Sequence, residues 1–171
     1  YHHNDLSPHF DKNRSVRIDS LFFNEDGTIQ KVIPTLRGVG VTKASQKIQI
    51  DRYSAISKEG ASIAFNDSNN TFEGWKAMFD KANAWLMYSR VDFGNNKFKS
   101  AIIRAFSKNG SLIQLTLNNE KGPVISHVKI PKGDTWQTVK APVIRSIKGV
   151  QDLVVILKND NTAEIDWISF E

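Results

Sequence analysis

Along most of the chain, apolar and polar positions alternate with a period of two, the spacing of a strand that buries one face. "SVRIDSLFF" carries Val16 and Ile18 and then turns apolar from Leu21 to Phe23; "NEDGT" supplies a turn, and "IQKVIP" returns with Ile29, Val32 and Ile33. This pattern predicts a β-hairpin within residues 1–40. "LRGVGVTKASQ", with two glycines among small polar residues, marks a boundary at 37–45. Beyond it, short candidate strands recur about every ten residues: "KIQIDRYSA", "ASIAFND", "AWLMYSRVDF", "KSAIIRAFS", "SLIQLTLN", "SHVKIP", "TWQTVKAPV", "VQDLVVILK" and "EIDWISFE". "SKNGS" and "PKGDT" read as turns. About nine strands, with "WKAMFDKANA" as the one passable helical stretch, predict an all-β, two-sheet β-sandwich of jelly-roll type preceded by the hairpin.

The stretch "ANAWLMYSRVDFG" sets the functional question, because it is dense in aromatic residues. Trp85, Tyr88 and Phe93 are expected to hold the sandwich together, with Trp85 and Trp167 as core tryptophans. Other aromatics fall in loops. Phe79 precedes the Trp85 strand, Trp136 follows the "KGD" turn, and "KNDNTAE" offers Asn159, Asn161 and Glu164. A sugar ring has apolar C–H faces and a polar rim, so exposed aromatic faces beside amide or carboxylate groups suit it. The same aromatics would equally serve as plugs at the ends of the sandwich.

The remaining totals mostly exclude. The 171 residues suit one domain, or one with part of another, and the absence of cysteine removes disulfides and thiolate sites. A net charge of +5 invites nucleic acid, yet the 23 Lys and Arg are scattered without a cluster, so no nucleic-acid partner is expected. No apolar run reaches about 18 residues and no signal-peptide pattern stands at the start, so no membrane partner is expected either. Phosphate-loop, dinucleotide, nucleophile-elbow and zinc-protease motifs are absent, and the 18 acidic residues are dispersed, which argues against an autonomous active site. Gln49, Asp51 and Asp166 are hard oxygen donors on the first and last strands of the sandwich. They become neighbours if the sheet brings its ends together, as a calcium site would require.

In their order, "IQIDRYSA", "FDKANAWLMYSRVDFG", "TWQTVKAPV", "VQDLVVILK" and "EIDWISF" resemble family 6 carbohydrate-binding modules over residues 44–171. Residues 1–40, "YHHNDLSPHFDKNRSVRIDSLFFNEDGTIQKVIPT" in large part, resemble the closing segment of a glycoside hydrolase family 43 catalytic domain, a five-bladed β-propeller. Such enzymes often carry a family 6 module at their C-terminal end. The resemblance aligns His2 with a position near the propeller axis and Arg14 with a recurring arginine. It provides no catalytic residue, because the family's carboxylates lie in earlier blades.

For the sugar cleft, the resemblance implies two facing aromatics, Phe79 where the family has Tyr and Trp136 in its G-W-Q-T motif. Glu164 stands where the family has a hydrogen-bonding Asn. Asn161 is a further candidate on the same loop. For the metal, Gln49, Asp51 and Asp166 fall on the ligand positions of a structural calcium. The implied function is non-catalytic binding of a plant cell-wall polysaccharide (xylan, arabinoxylan or arabinan) on behalf of an upstream family 43 catalytic propeller of the xylosidase or arabinofuranosidase type. The implied setting is a secreted or periplasmic bacterial protein. The competing expectation is a buttress for the propeller that binds no sugar.

Overall fold

The computed structural model describes residues 2–4, 15–95 and 97–171, with side chains from residue 18 onward. Arg14 and the side chain of His2 lie outside the described residues. β1 (His2–Asn4) pairs antiparallel with β2 (Ser15–Arg17). A hairpin follows, closed by a bridge between Phe23 and Ile29 and by Asn24 N–H donating to the Thr28 carbonyl at 2.8 Å. Asp26 Oδ1 accepts from the Thr28 amide at 2.9 Å, so the predicted "NEDGT" turn is an Asx-type turn.

The sandwich is built from two six-stranded sheets. In the first, the order is β11 (Val124–Ile130), β10 (Ser111–Leu117), β13 (Val150–Leu157), β8 (Trp85–Asp92) and β3 (Thr42–Lys43), with β5 (Ala55–Ile56) also on β8. In the second, it is β12 (Gln137–Pro142), β9 (Ser100–Phe106), β14 (Ala163–Phe170), β7 (Trp75–Phe79) and β6 (Ala61–Phe65), with β4 (Ile48–Gln49) also on β14. Nine strands of five or more residues carry the fold, eight of them where the alternation predicts; the expected "KIQIDRYSA" strand shrinks to the two-residue β4, β7 is the unexpected ninth, and three two-residue ladders complete the sheets. The expected helix is absent. "WKAMFDKANA" forms β7 and the turn after it, because pairing to β14 and β6 on either side overrides a weak helical spacing.

Inward positions of the two sheets make one core. Tyr88, Phe93 and Phe170 are fully buried in it, and Phe93 meets Phe170 edge-to-face with centroids 5.1 Å apart. The buried Tyr88 hydroxyl donates to the Ile50 carbonyl at 2.6 Å, linking the first sheet to the chain leaving β4. Trp85 and Trp167 correct the expectation of core tryptophans. Trp85 is one residue out of step with the buried Leu86 and Tyr88, and Trp167 stands one before the buried Ile168. Both rings are therefore half-buried on the outer faces.

Tyr88→Phe leaves the buried Ile50 carbonyl without that donor. It is expected to cost about 1–2 kcal/mol in urea unfolding with an unchanged m-value; an unchanged midpoint would show the bond to be dispensable.

Candidate functional site

The cleft expected between Phe79 and Trp136 does not form. Phe79 ends β7 in step with the buried Ala77 and is only 1% exposed. Its partners across the two ladders are Ala61 and Ala163. Between two such small side chains the ring joins the core, and a buried ring offers no face to a sugar.

Trp136 stands immediately before β12. Continuing the register of β12 with β9 by one residue sets it opposite Phe106. The two rings lie 6.4 Å apart between centroids, with planes tilted by 45°, and both are half-buried. The Arg104 guanidinium lies 5.8 Å from the centre of the Trp136 ring. Phe106 is opposite Glu164, Glu164 opposite Met78, and Met78 opposite Ser62. One row thus crosses the outer face of the second sheet, running from the aromatic pair to the carboxylate and on to Met78. Lys76 Nζ donates to Glu164 Oε2 at 2.8 Å, with both side chains largely shielded.

Of the expected sugar-contacting residues, this face gathers Trp136 and Glu164. Asn161 is engaged elsewhere, its amide donating to the Gly110 carbonyl at 2.7 Å. That bond belongs to a seam of loops. Ser107 and Ser111 hydroxyls both donate to the Thr162 carbonyl at 2.6 and 2.7 Å, and Gly133 N–H donates to the Ser107 carbonyl at 3.1 Å. The seam fixes the turn that carries Trp136. Sequence reasoning missed Phe106, although the signal was present: in "AIIRAFS" Ala101, Ile103 and Ala105 are buried, which turns Ile102, Arg104 and Phe106 outward. Chemically, the row offers an aromatic corner with a carboxylate acceptor and ammonium and guanidinium donors along its edge. That combination suits a flat ring with apolar faces and hydroxyl-bearing edges.

Of the three metal candidates, Asp51 and Asp166 lie close enough to influence one another, and the backbone of Gln49 runs beside them. Gln49 is opposite Trp167, the neighbour of Asp166, and Ile50 N–H donates to the Asp166 carbonyl at 3.0 Å. Burial pushes the Asp166 carboxyl above its ordinary value, Arg104 and Lys47 pull it down, and Asp51 pushes it up again. An Asn66 side-chain hydrogen bond to Asp166 also lowers it. Asn66 Oδ1 is buried and has no protein partner. Two carboxylates near enough to oppose one another and an unmatched amide oxygen on the side chain that bonds Asp166 are hard oxygen donors of the kind calcium takes, with Gln49 brought alongside by the register of its strand. Among the described residues no three His, Cys, Asp or Glu side chains converge, so a cation here would need amide or water oxygens to complete its shell. The competing cations face solvent. Arg52 reaches Asp51 at 3.5 Å and Arg104 reaches Asp166 at 3.2 Å, with about half of each arginine side chain exposed.

Residues 49–171 match the family described as carbohydrate binding module (family 6). An arabinoxylan arabinofuranohydrolase of Paenibacillus polymyxa is 20% identical over 162 residues, covering 89% of this chain and 25% of that protein. The chain therefore spans about a quarter of that curated relative. A family 6 carbohydrate-binding module from Clostridium cellulolyticum, solved in complex with xylose, superposes with a TM-score of 0.67 at 24% identity, covering 76% of this chain and 99% of that one. A glycoside hydrolase family 43 arabinoxylan arabinofuranohydrolase from Bacillus subtilis, in complex with cellotetraose, gives a TM-score of 0.69 at 18% identity, covering 92% of this chain and 34% of that one.

The two aromatic positions should separate on mutation. Phe79→Ala is expected to cost about 3–5 kcal/mol in urea unfolding. Trp136→Ala, half-buried, should cost about 1 kcal/mol or less. Similar losses for the two would contradict the core placement of Phe79.

Proposed function

This chain belongs to carbohydrate-binding module family 6, and we propose that it holds a polysaccharide chain on the outer face of its second sheet. The observation that carries this is the half-buried Trp136–Phe106 pair beside the Glu164–Lys76 ion pair. A pyranose stacks on Trp136, its hydroxyls meeting the Glu164 carboxylate and the Lys76 and Arg104 donors. The ligand class is xylan, arabinoxylan or arabinan, in keeping with the xylose-bound module and the arabinoxylan-acting enzymes it resembles. The module itself performs no chemistry. It raises the local concentration of a tethered catalytic domain on an insoluble polymer. That domain is a family 43 hydrolase, with residues 1–40 as its closing segment, residues 44–171 as the binding sandwich, and a secreted or periplasmic setting. A pure buttress is the weaker alternative, since it has no use for an aromatic pair kept partly open to solvent.

Gln49, Asp51 and Asp166 hold a structural calcium ion in this proposal, with Asn66 Oδ1 supporting the fit. Bound there, the ion supplies charge neutralisation between the strand that opens the sandwich and the one that closes it.

Trp136→Ala and Phe106→Ala should each abolish retardation on soluble xylan in affinity gels while shifting the melting temperature by only a few degrees. Binding equal to wild type in titration calorimetry would refute the site. After chelation, millimolar calcium should raise the melting temperature by about 3 °C or more, and Asp166→Asn should remove that response. A wild-type protein indifferent to calcium would refute the metal assignment.

A further inference from the structure

Beside the row of Trp136, Phe106 and Glu164, the outer face of the second sheet carries another row. Its backbone partners run from Thr138 through Arg104 and Trp167 to Gln49, across β12, β9, β14 and β4. The bulge at Asp166 turns the half-buried Trp167 ring outward here, with the Lys47 ammonium 4.6 Å from its centre. Trp136 and Trp167 stand two strands and one row apart, about 12 Å on a sheet of ordinary spacing. That span exceeds one pyranose ring, so a single extended chain can rest on both. Aromatic and cationic groups alternate along the path, in the order Trp136, Arg104, Trp167, Lys47. Arg104 is shared with Asp166 at 3.2 Å, and Lys76 with Glu164. Among the described residues Lys47 makes no ion pair, although its charge is felt at Asp166. Lys47 and Gln49, both neighbours of Trp167, also border a hollow of about 260 Å³, together with Arg37, Thr42, Ile48 and Arg52. Three cations and no carboxylate line it; Arg52 is partly neutralised by Asp51 at 3.5 Å, and Lys47 is not.

We infer that Trp167 and Lys47 form a second subsite of this face, one that takes a carboxylate-bearing pyranose, so that the polysaccharide held is a uronic-acid-substituted xylan. The acidic ring stacks on Trp167, and its carboxylate enters the hollow to accept from the Lys47 ammonium and the Arg52 guanidinium. Lys47 is exposed on a flexible stem, so it can leave the face of the ring and follow the carboxylate. Neutral sugars would give this group of cations nothing to pair with, whereas a uronic acid gives it a charge of the complementary sign. The net charge of +5 acts in the same direction, drawing an acidic polymer towards the module. This inference rests on the proposed sugar site and names the substrate class of that site.

Titration calorimetry tests it with a glucuronoxylan and with the same polymer after its carboxyl groups have been reduced to alcohols, at constant calcium. Wild type should bind the native polymer about tenfold more tightly than the reduced one. Lys47→Gln should erase that difference, and Trp167→Ala should weaken binding of the native polymer by about tenfold. Lys47 is exposed, so its variant keeps the test decisive even if Trp167→Ala fails to fold. Lys129→Gln, which removes an exposed cation from β11 in the other sheet, should leave the preference in place. Equal wild-type affinities for the two polymers would overturn the inference and leave the sugar site standing. So would a preference that Lys129→Gln erases as fully as Lys47→Gln, because overall charge and not the subsite would then be its source. Binding of neither polymer would refute the sugar site itself, and this inference with it.

Discussion

A single extra residue in strand β14 governs the outer face of the sandwich. The register of β14 against β9 slips between Ile165 and Trp167, leaving Asp166 unpaired in the ladder. Before the slip Glu164 faces outward and Ile165 inward; after it Trp167 faces outward and Ile168 inward. Such a bulge re-aims side chains without interrupting the strand's pairing on either side. Here it frees the Asp166 carboxylate to meet Arg104 and feel Asp51, while Glu164 stays in line with Phe106. Restoring a regular ladder would turn half of this central strand the wrong way, and the cation cluster and the aromatic row would part company.

The two outer-face features share this origin but differ in rigidity. The Trp136 corner is anchored through backbone and hydroxyl bonds that converge on Ser107 and Thr162, both held by sheet on each side. Around Asp51 and Asp166 the partners are long arginine side chains with solvent on one side, so their geometry is maintained by charge rather than packing. A pre-set aromatic surface beside an adjustable ionic border is a sound arrangement for a ligand with an invariant ring and variable substituents.

Much of this architecture was legible in the alternation of apolar residues. Parity along "AIIRAFS" fixes which side chains meet in the core, and burial of Ala101, Ile103 and Ala105 follows from it, whereas in "EIDWISF" it holds only on either side of the bulge, and the joint burial of Ile165 and Ile168 is the bulge's doing. The misreadings also have local causes. Trp75, Met78, Phe79 and Ala82 mimic a helical stripe, and only the distant partners Ala61 and Ala163 decide for a strand. Those same alanines draw Phe79 inward, which no short-range pattern reveals. For Trp85 the ring's size suggested the core, while parity with Leu86 and Tyr88 pointed outward and prevailed; for Trp167 parity with the buried Ile165 pointed inward too, and the bulge at Asp166 turned the ring out. Gln49, Asp51 and Asp166 could be proposed together because β4 and β14 are neighbours in the sheet. Asn66 enters that proposal only through a buried, unmatched oxygen that no spacing predicts.

That adjacency has a mechanical side. β4 grips β14 through only two residue pairs, Ile48 with Ile168 and Gln49 with Trp167, whereas β9 holds β14 through six. Ahead of β4 the chain is held to the first sheet by Arg37 on the Ser89 carbonyl and by β3 alongside β8. A pull on the chain from its N-terminal side meets those contacts first and then the short β4–β14 zip, with the Tyr88–Ile50 link just behind it. Within the second sheet the two-pair ladder of β4 would give way before the six-pair ladder of β9 with β14, on which the row from Phe106 to Glu164 is built.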